Sequence, residues 1–323
     1  MTKHINIHQA TEVLRNLYRG FQASRVILTA NKYGIFDHVQ SPKTAKEIAK
    51  AVRADARALE ILLDAVTSLG FLQKSGSKYK NTPLSDALLV QGKPFYQGDA
   101  LRHADSLYQN WSGLDKVVKT VRPYHKADNH ASFIKAMHNM AILKARKIVQ
   151  SIDLRGVKTV LDLGGGPGTY AMEFARKGAA VTLFDFAETI RIARNIVGKS
   201  GVKNIKYLPG NFKLDSIGKN YDLIFISQIL HAYSDADCRK LMLKCAKALN
   251  PGGRIVIQEF RIAEDRAHPA PAALFSINML VNTAGGRSYT PVEMKNWLVG
   301  AGLKNVKIKP IGDNVLVYAK NEV

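Results

Sequence analysis

Short apolar runs alternate with helical stretches through the second half of the chain. Intervening segments such as "FAETIRIARNIVG" and "DCRKLMLKCAKALN" carry apolar residues at helical spacing. The runs that read as strands are "KTVLDLG", "AAVTLFD", "YDLIFIS" and "GRIVIQEF". This alternation favours a mostly parallel sheet with helices on both faces. The sequence therefore predicts an α/β, doubly wound, Rossmann-like domain over residues 151–323, with a helix stop at Asn250-Pro251-Gly252-Gly253.

The first third of the chain has a helical rhythm instead. "TAKEIAKAV" begins with Thr44 and Glu47 in capping-box spacing, and Gly70 closes the helical stretch "DARALEILLDAVTSLGFL". "FLQKSGSKYKNTPL" then predicts a hairpin around Gly76. Helix, turn, helix and hairpin is the order of a winged helix, so we predict a mainly α-helical, winged-helix-like domain over residues 1–92. Residues 93–150, which include "SFIKAMHNMAILKARKIV", are predicted to be connecting helices.

Composition limits the class of protein. The net charge of +21 is spread along the chain, and no basic run is interleaved with aromatic residues as in a nucleic-acid groove. We therefore interpret it as a solvated surface and expect no nucleic-acid partner. No run approaches the ~18 apolar residues of a membrane span, and the first residues lack a secretory h-region. Cys238 and Cys245 fall about 10 Å apart on one predicted helix, which indicates reduced thiols and a cytoplasmic protein.

A glycine-rich turn follows the first predicted strand, in "VLDLGGGPGTYAMEF". Gly164, Gly165 and Gly166 allow a sharp turn and close approach of a ligand, but the pattern is neither G-x-G-x-x-G nor a Walker loop. Asp162 before the turn would repel a pyrophosphate and suits a cationic amino-acid group. Asp185, at the end of the next strand, is placed to accept the hydroxyls of a ribose, and Phe186 beside it to cover an adenine. Together they predict S-adenosylmethionine as the cofactor, with S-adenosylhomocysteine as product and no metal.

Several segments resemble one family. "DLGGGPGTYA", "LFDF", "PGNF", "SQILHAYSD", "LNPGG", "IQEF" and "NMLVNTAGGRSYT" are similar to segments of the S-adenosylmethionine-dependent O-methyltransferases that carry an N-terminal dimerisation domain. This family includes plant caffeate and flavonoid enzymes, hydroxyindole enzymes, and bacterial carotenoid and polyketide enzymes. The resemblance implies a class I methyltransferase fold, a homodimer formed through residues 1–92, and methyl transfer to a phenolic or enolic hydroxyl of a small aromatic, quinoid or polyketide-like acceptor.

The resemblance also implies roles for individual residues. His231, in "LHAYSD", occupies the position of the family's general base at the end of the fourth strand, and Glu259 that of the glutamate which steadies the base. The cofactor-binding candidates are Asp162, Gly164, Gly165, Gly166, Asp185, Phe186, Asn211, Phe212 and Ser227. The connecting helices of residues 93–150 are expected to contribute to the acceptor pocket, and the acceptor-binding candidates are Trp111, Met137, Met140, Met279 and Ser288. The methionines also fit a helix core, and Trp111 fits either an acceptor pocket or helix packing.

Three positions depart from the family pattern. Ser288 stands where a second glutamate is common, Ala232 where an aspartate follows the base, and Asn211 where an aspartate faces the adenine amine. The amide oxygen of Asn211 can still accept that hydrogen bond. These departures leave open a carbon- or nitrogen-methylating enzyme, or a relative that has lost methyl transfer. The alternative from another class is a winged-helix DNA-binding regulator that senses S-adenosylmethionine.

Overall fold

The computed structural model describes residues 6–127 and 129–322, and the chain divides into two compact units between Asp105 and Ser106. The first unit is mainly helical, with one small antiparallel sheet of order β1-β3-β2. Its elements are α1 (Ile7–Lys32), α2 (Ile35–His38), β1 (Lys43–Thr44), α3 (Ala45–Val52), α4 (Ala56–Ser68), β2 (Leu72–Ser75), β3 (Lys78–Asn81), α5 (Pro83–Leu88) and α6 (Gly98–Trp111), the last of which crosses the division.

The predicted local signals of the first unit are present. Thr44 and Glu47 form a reciprocal capping box at the start of α3. Gly70, with φ +81°, follows the end of α4 in the left-handed region that glycine adopts readily. Gly76 turns the β2–β3 hairpin with φ +56°. The core beneath these elements is closed by fully buried side chains such as Phe36, Leu63 and Tyr79.

One face of α1 remains apolar and exposed within the chain. The exposed side chains recur at helical spacing and are Val13, Leu14, Leu17, Tyr18 and Phe21, each more than half exposed. Burial of an apolar helix face is the main source of helix stability in water, so this face is suited to packing against another chain.

The second unit is built on a seven-stranded sheet of order β6-β5-β4-β7-β8-β10-β9. The β6-β5-β4-β7-β8 part is parallel, whereas β10 runs antiparallel to both β8 and β9. Its elements are α7 (Leu114–Thr120), α8 (His130–Ile142), α9 (Ala145–Gln150), β4 (Thr159–Leu163), α10 (Thr169–Arg176), β5 (Ala180–Asp185), α11 (Ala187–Ser200), β6 (Ile205–Pro209), β7 (Tyr221–Ser227), α12 (Asp235–Ala248), β8 (Leu249–Phe260), α13 (Ala270–Asn282), α14 (Pro291–Gly300), β9 (Lys304–Ile311) and β10 (Asn314–Lys320).

Both faces of this sheet are buried, as the continuous apolar strands predict. One core packs against α12 and α14 and contains Leu161, Ile224 and Trp297. The other packs against α9, α10 and α11 and contains Val160 and Phe225. Because β4, β5, β7 and β8 are parallel, their carboxyl ends meet at one edge, where ligands bind in doubly wound folds. The predicted α/β fold class is confirmed.

The structure differs from the prediction in several boundaries. The pattern "SFIKAMHNMAILKARKIV" is two helices, α8 and α9, because the backbone leaves the helical path at Lys144. Helix α12 ends at Ala248, and the predicted stop 250–253 already belongs to β8. Strands β6, β9 and β10 were not predicted. Both cysteines are buried in α12 as free thiols. Within residues 6–127 and 129–322, none of the helices has the length and apolarity that crossing a bilayer requires.

Candidate active site

His231 and Glu259 form a buried pair at the carboxyl edge of the sheet. His231 lies four residues beyond Ser227, the last residue of β7, in a short 3-10 turn (Leu230–Ala232). Glu259 lies near the end of the neighbouring strand β8. The Glu259 Oε2 atom is 2.7 Å from His231 Nδ1, and the two side chains are only 12% and 4% exposed. The structure therefore places side by side the histidine and the acid that the resemblance selected, although the histidine lies on a turn and not on the strand.

Both oxygens of Glu259 are occupied, which fixes the imidazole. Oε1 accepts a hydrogen bond of 3.1 Å from the Leu230 backbone N–H, and Oε2 faces His231 Nδ1. A carboxylate can only accept, so Nδ1 carries the proton and donates it. The lone pair of the neutral ring is then on Nε2. The pair presents one defined nitrogen as a base.

Two phenylalanines enclose the imidazole. Phe260 stacks beside it, with ring centroids 6.2 Å apart and planes inclined by 23°. Phe275 of α13 meets it edge-on at 4.7 Å, and the two phenylalanine rings are 4.5 Å apart. Sequence reasoning did not select either residue, although Phe260 directly follows Glu259. Their contacts restrict the ring and surround it with apolar surface suited to a flat ligand.

Gly286 fits against the backbone that carries the histidine. A Cβ atom there would lie 2.1 Å from the His231 carbonyl oxygen and 2.6 Å from Thr283 Oγ1. At the neighbouring Gly285, the nearest atom to an added Cβ is Ser234 Cβ at 3.4 Å. Any side chain at Gly286 must therefore displace the His231 turn, whereas an alanine at Gly285 makes ordinary contacts. The sequence offered the paired glycines of "AGGRSYT" as a signal.

The glycine-rich turn between β4 and α10 is closely packed. Gly164 and Gly166 have φ of +67° and +53°. A Cβ at Gly164 would meet Ile229 at 2.8 Å, and one at Gly165 would meet the Asp162 carboxyl group at the same distance. The absence of side chains thus lets the turn pass close to Asp162 and to the segment that leads to His231, while the predicted close approach of a ligand stays a prediction.

Asp162 is a buried acid, 1% exposed. Neither of its oxygens has a hydrogen-bond partner among the residues that the structure describes. Burial raises the pKa of Asp162 to about 7, an effect that the Ala171 backbone N–H opposes. The Tyr170 hydroxyl is likewise buried without a partner in the described ranges, and the charge of Asp162 adds to burial in raising its pKa. A buried acid of this kind is suited to a cationic group of a ligand.

Asp185 ends β5 beside the same turn. Its carboxylate accepts hydrogen bonds from the backbone N–H groups of Gly166 at 2.8 Å and Phe186 at 2.7 Å. Burial raises the pKa of Asp185, and these hydrogen bonds oppose that effect. Each oxygen keeps a second lone pair, so the carboxylate can still accept hydroxyl groups. Phe186 is exposed beside it, 46% accessible, with its ring available for stacking.

The remaining cofactor candidates lie at the adjacent strand ends. The Asn211 amide oxygen accepts a 3.0 Å hydrogen bond from the Lys213 backbone N–H. Phe212 is buried and packs edge-on against Tyr233, with centroids 4.9 Å apart. Ser227, the last residue of β7, donates a hydrogen bond to the Gln258 side-chain oxygen. All three residues follow or end strands at the ligand-binding edge.

The acceptor candidates are less uniform. Trp111 Nε1–H donates a 2.9 Å hydrogen bond to the Asn278 side chain on α13. Met137 and Met140 lie on α8, the first half-buried and the second 40% exposed, and Met279 is buried in α13. Ser288 is 3% exposed and donates a hydrogen bond to the Ala272 carbonyl at 2.8 Å. Its hydroxyl thus anchors α13, and acceptor contacts by these residues stay a prediction.

The second unit has the features of a Rossmann-like domain of the methyltransferase type. These are a doubly wound sheet, a glycine turn flanked by two acids, and a buried His–Glu pair at one edge. Residues 96–304 match the family model described as the O-methyltransferase domain, and residues 16–91 match the O-methyltransferase dimerisation domain. The chain belongs to the O-methyltransferase family. The match confirms the resemblance and the enzyme class, and it argues against the alternative of a DNA-binding regulator. The dimerisation domain supports the predicted homodimer.

Known proteins align with nearly the whole chain. The 3-hydroxy-5-methyl-1-naphthoate 3-O-methyltransferase of Streptomyces sahachiroi is 30% identical, over 91% of this chain and 90% of that protein. The acetylserotonin O-methyltransferase of Homo sapiens is 29% identical, over 94% of this chain and 95% of that protein. The crystal structure of human N-acetylserotonin methyltransferase in complex with S-adenosylmethionine superposes with a TM-score of 0.87 at 27% identity and covers 100% of both chains.

A bacterial structure gives the same likeness. An O-methyltransferase family protein from Burkholderia thailandensis superposes with a TM-score of 0.87 at 25% identity, over 96% of this chain and 98% of that one.

Proposed function

We propose that this chain is an S-adenosylmethionine-dependent O-methyltransferase in which His231 removes the proton from a phenolic or enolic hydroxyl of a small aromatic, quinoid or polyketide-like acceptor. The observation that carries this proposal is the buried pair of His231 and Glu259, with its 2.7 Å contact. The two relatives described above are named for methylating a hydroxynaphthoate and acetylserotonin, and both names support an aromatic acceptor. A cytoplasmic location accords with the two free, buried thiols.

The residues around the glycine turn fit the cofactor. Asp162, buried and unpartnered among the described residues, would compensate the ammonium group of the amino-acid end. The Asp185 carboxylate would accept hydrogen bonds from the ribose hydroxyls, and Phe186 would lie against the adenine. The amide oxygen of Asn211 would use its free lone pair to accept a hydrogen bond from the adenine amine. When bound, S-adenosylmethionine supplies a methyl group already activated by its sulfonium.

The base is needed because of the acceptor. A phenol has a pKa of about 10 and is a weak nucleophile at neutral pH until its proton is removed. Nε2 of His231 takes that proton, and the carboxylate of Glu259 stabilises the resulting imidazolium through Nδ1–H. Phe260 and Phe275 hold the ring in one orientation and keep water from its sides. The chain's own contribution is alignment and proton removal.

The test is His231→Ala. We expect turnover of a phenolic acceptor to fall by about 10²–10⁴, the usual value of a general base, with S-adenosylhomocysteine affinity by calorimetry nearly unchanged. Part of the rate should return at high pH, because hydroxide then produces the phenolate. His268 is a matched control, since its Nδ1 also lies 2.7 Å from an acid, Asp265, but its side chain is 77% exposed.

The His268→Ala variant should keep wild-type turnover. Wild-type turnover in His231→Ala would contradict the general-base assignment. It would favour the second candidate function, methylation of carbon or nitrogen, which the serine at position 288 leaves open.

A further inference from the structure

Lys144 carries a charge into the neighbourhood of the His231 pair. It is the residue at which α8 and α9 separate, and it precedes the first residue of α9. Its side chain is half-buried, and Nζ lies 5.7 Å from the centroid of the Phe260 ring. Phe260 in turn is 6.2 Å from the His231 ring. The Phe260 ring is therefore close both to the Lys144 ammonium and to the His231 imidazole.

This ammonium lacks a close counter-ion within the part of the chain that the structure describes. Among residues 6–127 and 129–322, Lys144 forms none of the ion pairs within 4.0 Å. Burial lowers the pKa of Lys144, and the charges of Glu259 and Asp313 oppose that effect from farther away. Glu259 already uses both oxygens for Leu230 and His231. A partly buried cation is less fully hydrated than an exposed one, and the anionic group of a ligand would offset that cost.

A purely structural role explains the position less well. Lysine ammonium groups usually remain in water, as at Lys147, an exposed residue of α9. The stem of Lys144 could be replaced by an apolar residue against Phe260 without the desolvation penalty. The charge is placed beside the only aromatic cluster that contains the His231 ring among the described ring contacts. This location points to a contact between Lys144 and a ligand that binds against that aromatic cluster.

We propose that Lys144 binds a carboxylate on the methyl acceptor and so directs the acceptor hydroxyl toward His231. This inference rests on the proposed function, because it assigns an acidic aromatic substrate to the same site. The ring system of the acceptor lies along Phe260 and Phe275, with its carboxylate at the Lys144 ammonium and its hydroxyl at Nε2. Lys144 is then a specificity-determining residue, and the chemistry of methyl transfer does not change.

The experiment compares two acceptors and three variants. A hydroxynaphthoate and the naphthol that lacks its carboxylate are the probes, each assayed for kcat and KM with S-adenosylmethionine. For Lys144→Met, kcat/KM for the hydroxynaphthoate should fall about 10- to 100-fold more than for the naphthol, mainly through KM, as expected for a lost charge-assisted hydrogen bond. Lys144→Arg should retain most of the wild-type preference for the hydroxynaphthoate over the naphthol. Lys147→Met removes an exposed charge from the adjacent helix α9 and should behave as wild type.

The outcomes separate this inference from the proposed function. Equal losses on both acceptors in Lys144→Met, or a wild type with no preference for the carboxylate, would overturn the inference while methylation itself stands. If neither probe is methylated, calorimetric binding of the hydroxynaphthoate with S-adenosylhomocysteine present decides. Binding that Lys144→Met weakens and Lys144→Arg retains would support the inference even as the proposed reaction fails. Absence of binding to the wild type would refute it.

Discussion

Replacing Glu259 by glutamine changes one atom at the centre of the site. The carboxylate accepts from two donors, the Leu230 backbone N–H at 3.1 Å and His231 Nδ1 at 2.7 Å. A glutamine has one acceptor and one donor end. Because the Leu230 N–H cannot reverse its polarity, the amide oxygen must face Leu230 and the NH₂ group must face Nδ1. The imidazole then has to carry its proton on Nε2, the nitrogen that is proposed to act as the base.

The magnitude follows from the two ways of accommodating the amide. Loss of a charge-assisted hydrogen bond alone, about 1.5–3 kcal/mol, would slow the reaction by roughly 10- to 150-fold. The reversed amide would set two buried donors against each other at about 1–3 kcal/mol each, more than changing the tautomer of a neutral imidazole requires. The variant should therefore adopt the other tautomer. Glu259→Gln should then lose about 10²–10⁴ in kcat, nearly as much as His231→Ala. A merely orienting glutamate would make the variant much milder.

The assay is kcat on a phenolic acceptor, with S-adenosylhomocysteine affinity and the ¹⁵N spectrum of the imidazole as independent measurements. We expect unchanged affinity, a ring protonated at Nε2, and no further loss when His231→Ala is added, since the pair acts as a unit. Glu264→Gln alters an exposed acid in the segment after β8 and is the control. Turnover of Glu259→Gln within about tenfold of wild type would refute the tautomer argument.

Three further predictions concern the support of the site, the cofactor and the assembly. Gly286→Ala, whose Cβ would lie 2.1 Å from the His231 carbonyl oxygen, should greatly reduce turnover but keep S-adenosylhomocysteine affinity, whereas Gly285→Ala, with its nearest contact at 3.4 Å, should be near wild type in both measurements. Because burial raises the pKa of Asp162 to about 7 and a cationic ligand favours the carboxylate, calorimetry should find affinity for S-adenosylhomocysteine rising as the pH passes upward through that value. Asp162→Asn should remove this dependence, and methylthioadenosine, which lacks the amino-acid end, should not have it. Leu17→Glu places a charge on the exposed apolar face of α1 and should shift a dimer to monomer in light scattering at micromolar concentration, while an unchanged mass would exclude that face from the interface.

The sequence predicted the elements whose signal is local. The four strands at the centre of the sheet are apolar on both faces, and the capping box at Thr44 and Glu47 depends on residues three positions apart. Strand β9 escaped because it is an edge strand: its sequence "KNVKIKPI" is mostly exposed and reads as polar. Lysines on an edge strand hinder pairing with other chains, so the feature that protects this edge also hides the strand from a hydrophobic pattern.

The position of His231 illustrates a non-local effect. The run "LIFISQIL" continues the apolar pattern of β7, yet the strand ends at Ser227. Ile229 packs over Gly164, and the Leu230 N–H donates to the Glu259 side chain instead of a neighbouring strand. These contacts join segments far apart in the chain, and no periodicity within the run reports them. The resemblance supplied the histidine and the acid, but the turn that carries His231 could be found only from the fold.

Lys144, which we propose as an acceptor-binding residue, could not be selected from composition. It is one of 47 lysines and arginines, and a helical pattern runs through it without interruption. Only the break between α8 and α9 brings it beside Phe260, where its charge is partly removed from water. A basic residue on the surface has little energetic consequence, whereas a partly buried one without a close counter-ion has a cost that a function must offset. The total charge of +21 is therefore a poor guide to the acceptor, and the half-buried charge of Lys144 is the one on which our inference rests.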